Sequence, residues 1–444
     1  MHRDTVYDRW DVPEVINATG TKTRIGGSRI RPEAVEAMAA AAESFVRLSD
    51  LQAAASERIA EVTGAEAGYV TNGAAGGMLL AAAACIAGDD LGAMARLPET
   101  PGVPDEIVMP RTHRTAYDHA FRAAGASIVD IGTNDRHLGT GSRDVEPWEY
   151  ADAIDEDTAA VGHVYKSYGT PPLAEVTRIA HEHDVPVIVD AAAEVPPAAN
   201  LSWFTEQGAD LVAFSGGKGI RGPQTTGILA GRADLIRSVA RQQLDAHAAE
   251  AVWDPPAALV DADALDGVPK QGIGRPLKVG KEELVGLLAA LDAFLAEDAD
   301  ARDAAWRDRA DRLAAGVSAA DGLSTRIDAS GRSVAPEVIV TVTGDGGDRD
   351  ESSGDPGDSG GSDGDIDGGN ARGDGATAAD GATATDIVRR LRAETPRVFV
   401  GADAIAEGSF TLNPMCLTDE EATYVIERVV AAAEAAATAA GGDA

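Results

Sequence analysis

Seven short apolar runs separated by helical patterns predict an α/β chain, built on a large, mostly parallel sheet of seven-stranded type with helices on both faces and a smaller C-terminal α/β domain. Three observations carry this prediction. The runs Val187-Ile-Val-Asp190 and Leu211-Val-Ala-Phe214 are apolar throughout rather than alternating, which suits parallel strands buried on both faces. Similar runs recur with helix-length spacers at Tyr69-Val-Thr, Glu106-Ile-Val-Met-Pro, Ser127-Ile-Val-Asp-Ile, Ala159-Ala-Val-Gly-His-Val and Thr226-Gly-Ile-Leu-Ala. The 444 residues are enough to bury the core that such a sheet needs, in two packed domains.

Taken in order, residues 1–30 read as an N-terminal arm and residues 31–280 as the large domain. Pro32 to Gly64 is helical, with apolar positions on a shared face and Gly64 as a stop signal. Tyr69-Val-Thr then runs into Asn72-Gly73-Ala74-Ala75, which marks the start of an alanine-rich helix to Ala87. Free N–H groups and the helix dipole make that start a natural phosphate site. The run from Lys281 to Leu295 predicts a helix that bridges, within residues 281–300, to a small domain at 301–444. That domain contains a strand from Glu337 to Thr343 and a closing helix from Thr418 to Ala437. Residues 344–383 are almost entirely Gly, Asp, Ser, Thr and Ala, cannot bury enough surface to offset ordering, and are expected to be a disordered acidic insertion. A calcium-binding repeat is the alternative, disfavoured because no fixed nonapeptide period is present. No metal site is expected.

The formal net charge of -35 argues against a nucleic-acid partner, which would need clustered Lys and Arg. Acid excess, arginine in place of lysine and few aromatic residues resemble proteins of salt-loving microbes, whose acidic surfaces stay soluble in concentrated salt. Two cysteines, Cys85 and Cys416, are too few for a disulfide framework and read as buried thiols. Charges throughout Met1 to Asp11 and the lack of a long apolar stretch predict a cytoplasmic protein with no membrane span.

The chemistry is marked by lysine scarcity. Only six lysines occur, at positions 22, 166, 218, 270, 278 and 281, and Lys218 sits in a glycine loop, Phe214-Ser-Gly-Gly-Lys-Gly, just beyond a strand. A lysine amine becomes a nucleophile or Schiff-base partner where its site tunes it, and glycines let a cofactor approach the backbone closely. Asp190 ends the preceding strand, and ligands of open α/β sheets collect beyond the carboxyl ends of strands. Pyridoxal phosphate needs both groups: a lysine to hold its aldehyde and a carboxylate to keep its pyridine nitrogen protonated. Gly73, Ala74, Ala75 and Ser215 are the phosphate candidates. Structural readings stand beside these: a cation in a tight turn for Lys218, and a helix-capping carboxylate for Asp190.

The chain resembles pyridoxal-phosphate enzymes of the aspartate-aminotransferase fold (fold type I), in the branch of selenocysteine synthase and D-glucosaminate-6-phosphate ammonia-lyase-like proteins. The resemblance runs from Ile16 to about Leu295. It rests on Ile16-Asn-Ala-Thr-Gly, Thr71-Asn-Gly-Ala-Ala-Gly-Gly, His113-Arg-Thr-Ala-Tyr-Asp-His, Val189-Asp-Ala-Ala, Phe214-Ser-Gly-Gly-Lys, Gly222-Pro-Gln and Gly272-Ile-Gly-Arg-Pro-Leu-Lys-Val-Gly-Lys-Glu. It implies that the His113 ring stacks on the cofactor while also relaying protons, that Ala192 presents a methyl to it, and that the site lies at the interface of a homodimer or larger symmetric oligomer. The loop through Gln224 would then serve the neighbouring subunit. Arg24, Arg275 and Lys278, cations in glycine-rich loops, suit a carboxylate or phosphate on the substrate, with ordinary ion pairing the competing account.

The resemblance further implies α,β-elimination, of ammonia-lyase type, on a β-hydroxy amino acid or 2-amino sugar acid. Selenium or sulfur transfer to seryl-tRNA is the alternative, and transamination a third. Three departures favour a small amino substrate: Gly217 precedes the lysine where the tRNA-acting enzymes carry aspartate, Thr21-Lys-Thr-Arg replaces their histidine-asparagine loop, and no tRNA-binding domain precedes Ile16.

Overall fold

The protein, seen as a computed structural model, is described over residues 5–132, 145–167, 169–245, 247–265, 267–330, 333–343 and 383–441. The expected insertion at 344–383 falls outside these residues save for Thr383. The chain forms two compact units, one of residues 29–296 and one that joins residues 5–28 to the C-terminal part from Glu297.

The chain's first strand, β1 (Val15–Ala18), belongs to the second of these units. The larger unit holds β2 (Ala67–Asn72), β3 (Glu106–Pro110), β4 (Ser127–Ile131), β5 (Thr158–Val164), β6 (Val187–Asp190), β7 (Leu211–Ser215) and β8 (Thr226–Gly231). Among the described residues these form one sheet in the order β2-β8-β7-β6-β5-β3-β4. β8 is antiparallel to both neighbours and the other pairings are parallel. Alternation along each strand sends side chains into two cores: Val187, Val189, Val212 and Phe214 into one, Ile188, Leu211 and Ala213 into the other. The helices Leu48–Thr63, Leu173–Glu182 and Lys281–Leu295 cover the first face; Gly73–Ala87 and Ala233–Gln243 cover the second.

The expected helix from Pro32 to Gly64 is two helices, Pro32–Ala42 and Leu48–Thr63. Arg47 is extended at the break, and its guanidinium is held by Asp50 at 2.6 and 2.8 Å and by Asp254 at 2.7 Å. Composition alone hides this stop, because Phe45 and Val46 are apolar yet exposed.

The smaller unit pairs β1 in parallel with β11 (Arg397–Val400) and forms an antiparallel sheet of β9 (Leu323–Asp328), β10 (Glu337–Val342) and β12 (Ser409–Leu412). Ile16 and Ala18 share its core with Leu313, Val340 and Phe410. Residues 1–28 are therefore part of this unit rather than a separate arm. The helix Lys281–Leu295 lies within the larger unit rather than bridging between domains.

The edge strand β2 shows how a buried edge is satisfied. Gln52, itself buried, donates to the carbonyl of Val70 at 2.9 Å and accepts from its N–H at 3.1 Å, while Ser56 Oγ accepts from the Gly68 N–H at 3.1 Å. A buried backbone group left without its partner costs about 1–3 kcal/mol. Gln52→Leu strips two such groups of partners at once and is expected to lower stability by about 2–4 kcal/mol in denaturant unfolding; an unchanged midpoint would show that water replaces the amide.

Candidate active site

The site is set by strand register. Val164 of β5 lies opposite Asp190 of β6, and Asp190 lies opposite Ala213 of β7, so Asp190 and the loop after β7 emerge at the same carboxyl edge. The Tyr165 N–H continues the ladder to the Asp190 carbonyl at 3.0 Å. Asp190 Oδ1 accepts the Ala192 N–H at 3.0 Å, which fixes its carboxyl and turns the chain.

Lys218 stands in the tight loop that follows Ser215. The Gly216 N–H bonds to the Thr226 carbonyl at 2.8 Å, the Gly222 N–H to the Gly216 carbonyl at 2.8 Å, and the Arg221 N–H to the Lys218 carbonyl at 3.1 Å. On its far side the loop is pressed against Val195 and Pro196: a methyl at Gly219 would overlap the Val195 carbonyl and come within 2.6 Å of Pro196 Cδ. Lys218 is thus held on a short closed turn next to the segment that follows Asp190.

The predicted phosphate residues converge through β8. Ser215 pairs with Gly227, and a side chain on Gly227 would run into the backbone of Gly73 and come within 2.7 Å of the Ala74 nitrogen. Gly227 therefore seats the first turn of the Gly73–Ala87 helix beside the Ser215 strand end. Gly73 takes a positive φ of 67°, and a Cβ there would meet nothing within 4 Å, so the helix opens on free space. Ala75, one turn position further, is part of the same start.

His113 follows β3 and is buried, 6% exposed. Its Nδ1 accepts the Val164 N–H at 3.3 Å, which leaves Nε2 as the protonated nitrogen of a neutral ring. His163 meets it edge-on with ring centroids 4.6 Å apart. Burial, with His163 and Lys166 adding, pushes the His113 imidazole well below its ordinary range, and burial brings His163 down to about 4. His163 Nδ1 is buried without a hydrogen-bond partner.

The substrate candidates are less unified. Arg275 lies 3.6 Å from Asp245 and 3.4 Å from the Gln243 carbonyl, in a chain that continues from Gln243 to the Tyr69 hydroxyl at 2.7 Å. Lys278 is exposed, and its carbonyl accepts from Asn72 at 3.2 Å, next to the helix start. Gln224 lies on the same loop as Lys218, its backbone packed against Gly217. Arg24 is exposed and belongs to the other unit. Cys85 and Cys416 are free thiols but only half-buried; burial raises the Cys85 thiol, and Cys416 Sγ donates to the Gly20 carbonyl at 3.3 Å.

Comparison with known proteins agrees with this arrangement. Residues 15–248 match the family described as SelA: L-seryl-tRNA selenium transferase. The chain belongs to that family. A 5'-C-glycyluridine monooxygenase-decarboxylase from Streptomyces is 31% identical over 95% of this chain and 90% of its own length. A D-glucosaminate-6-phosphate ammonia lyase from Salmonella typhimurium is 32% identical over 65% of this chain and 70% of its own. The L-seryl-tRNA(Sec) selenium transferase of Desulfovibrio desulfuricans, 30% identical, is matched over 52% of this chain and 50% of its length. A solved D-glucosaminate-6-phosphate ammonia-lyase superimposes with TM-score 0.73 at 27% identity, covering 98% of this chain and all of that one. These relatives are pyridoxal-phosphate-dependent lyases and transferases; this chain is an enzyme of that class, and pyridoxal phosphate is its cofactor.

Within this family's frame, two residues went unread in the sequence. His163 looked like a strand interior position and Glu194 like the end of an alanine run; neither carries a local signal, since both act through neighbours brought together by the sheet. One outcome follows from the buried histidines. Unfolded, each titrates near 6.5, so below that pH the unfolded chain binds protons that the folded chain refuses. Stability attributable to them is complete above about pH 6.5 and is lost as pH falls toward 4. Denaturant midpoints between pH 7 and 4.5 should fall less steeply in His163→Asn than in the parent; equal slopes would mean the rings titrate normally.

Proposed function

We propose that this chain is a small-molecule ammonia lyase that removes water and then ammonia from a β-hydroxy amino acid or 2-amino sugar acid. The observation that carries the reading is Lys218 on a closed glycine turn at the same sheet edge as Asp190, with the open helix start at Gly73 beside Ser215. That donor set fits pyridoxal phosphate: an amine for the aldehyde, a carboxylate for the ring nitrogen, and the Gly73–Ala75 amides with the Ser215 hydroxyl for the phosphate. The bound cofactor supplies a ring that takes up the electron pair left when a substrate proton departs. Lys218 holds the aldehyde and, once released by an amino substrate, accepts the α-proton on its free amine. Asp190 stays ionised and holds the nitrogen's proton. His113 offers a flat, neutral face, a reading suited to packing on the ring rather than to carrying charge. Ala192 presents only a methyl group on the same turn.

A second reading is oxidative decarboxylation of an amino acid. It is supported by the match to the Streptomyces enzyme, which extends through both units. Transfer to seryl-tRNA is disfavoured by the charge of -35 and by a match to those enzymes that stops near half of each chain. Purified protein should absorb in the visible, and Lys218→Ala should lose that band and turnover by at least about a thousandfold. Keto acid and ammonia should form from hydroxylated amino substrates without an added keto-acid acceptor. Oxygen uptake with carbon dioxide release would favour the second reading instead, and product that appears only with an added acceptor would mean transamination.

The proposal includes a homodimer or larger symmetric assembly, supported by the exposed apolar residues Val35, Phe45, Val46 and Leu48 at the break between the first two helices. It includes a cytoplasmic location, supported by the charged first residues and by the fact that no helix of the described residues is long and apolar enough to cross a membrane. It also includes adaptation to salt. Self-repulsion among the acidic side chains is screened as salt rises, so the melting temperature should climb from 0.1 M to molar KCl, where the Debye length falls from about 10 Å to about 3 Å. A melting temperature indifferent to KCl would remove this part of the reading.

A further inference from the structure

Glu194 is the charged group of the site that the proposed chemistry leaves unused. It ends the turn that begins at Asp190: its N–H bonds to the Ala191 carbonyl at 3.1 Å, and its own carbonyl accepts from Asn200 at 2.6 Å. The next two residues, Val195 and Pro196, are those pressed against Gly219, so the backbone carrying Glu194 and the backbone carrying Lys218 abut with no room for a methyl between them. The ionisable groups that act on Glu194 come from three elements: Asp190 at the end of β6, Lys218 after β7, and Tyr165 after β5, which feels the Glu194 charge in return.

We propose that Glu194 is the proton partner of Lys218: it takes the proton that Lys218 gives up when its ammonium becomes the reactive amine, and returns it when Lys218 is charged again. The inference rests on Lys218 being the residue that holds the cofactor. The exchange is balanced, since an ammonium beside a carboxylate becomes an amine beside a carboxylic acid with no change in net charge. Asp190 makes the assignment one-sided. Two carboxylates at one strand end do not both keep their charge easily, and the one that must face a ring nitrogen has to stay ionised. Glu194 is the one placed to be neutral. Burial first, then the charge of Asp190, push its carboxyl up to about 7, while the Lys218 charge pulls it down. Its charge is therefore tied to whether Lys218 is cationic, and the two groups titrate as a pair.

Infrared difference titration of the full-length protein reads this directly. A carboxylic acid signal that disappears near pH 7 is expected in the parent, and Glu194→Gln should abolish it. Lys218→Met should move its midpoint upward, because the cation that lowers it is gone; a packing role for Glu194 would leave that midpoint where it was. Stopped-flow capture of added pyridoxal phosphate at pH 7 should be slower by about tenfold or more in Glu194→Gln and largely restored in Glu194→Asp. Two results overturn the proposal: no carboxyl titrating near neutrality, or a midpoint unmoved in Lys218→Met. A Lys218→Ala protein that keeps the visible band would instead sink the cofactor reading on which it rests, so the two failures are told apart.

Discussion

The constraint on which the rest of the structure depends is the register of four adjacent strands, β5 to β8. Because Val164, Asp190 and Ala213 lie side by side, with Ser215 two residues beyond Ala213 and opposite Gly227, every group of the site leaves the sheet at one edge. Register is in turn fixed by burial. A slip of one residue would turn Val187 and Val189 out of one core and Ile188 into it, and both faces are closed by helices, so no slipped arrangement keeps its apolar side chains out of water. The chemistry is thus held in place by a hydrophobic sandwich that takes no part in it.

Two contacts convert that register into a pocket. Gly227 lets the start of the Gly73–Ala87 helix lie directly on β8, and Gly219 lets the Lys218 loop lie directly on Val195. Both are places where backbone meets backbone, so the cofactor-sized space beside them is bounded by main chain rather than by rotatable side chains. Rigid borders of this kind fix where a reacting atom can sit.

How much of this was legible in the sequence depends on whether the cause is local. The seven strand runs, the helix start at Asn72-Gly73 and the lysine in its glycine loop follow from patterns a few residues long, and the structure has all of them. The break at residues 43–47 was hidden because Phe45 and Val46 look like core residues; the ion pairs of Arg47 with Asp50 and Asp254, one of them more than 200 residues away, decide it. The place of β1 was equally out of reach, since its partner β11 begins at Arg397 and only the fold brings the two together. Gln52 reads as a polar residue on a helix, yet it is buried and serves the edge of β2.

The same distinction governs the charges of the site. A strand-end aspartate can be found from the run of apolar residues before it, but which of two carboxyl groups holds a proton depends on burial and on a cation from another element. Asp190 and Glu194 are four residues apart and look alike in sequence; the fold separates their tasks by hydrogen-bonding one to a backbone N–H and enclosing the other against Tyr165 and the Lys218 loop. For a chain whose surface is overwhelmingly acidic, that separation has a further consequence. Added negative charge outside the site is screened by salt within about a Debye length, whereas a carboxyl shielded beside Lys218 is screened little, so the proton balance of the site is insulated from the solvent conditions that the surface is suited to meet.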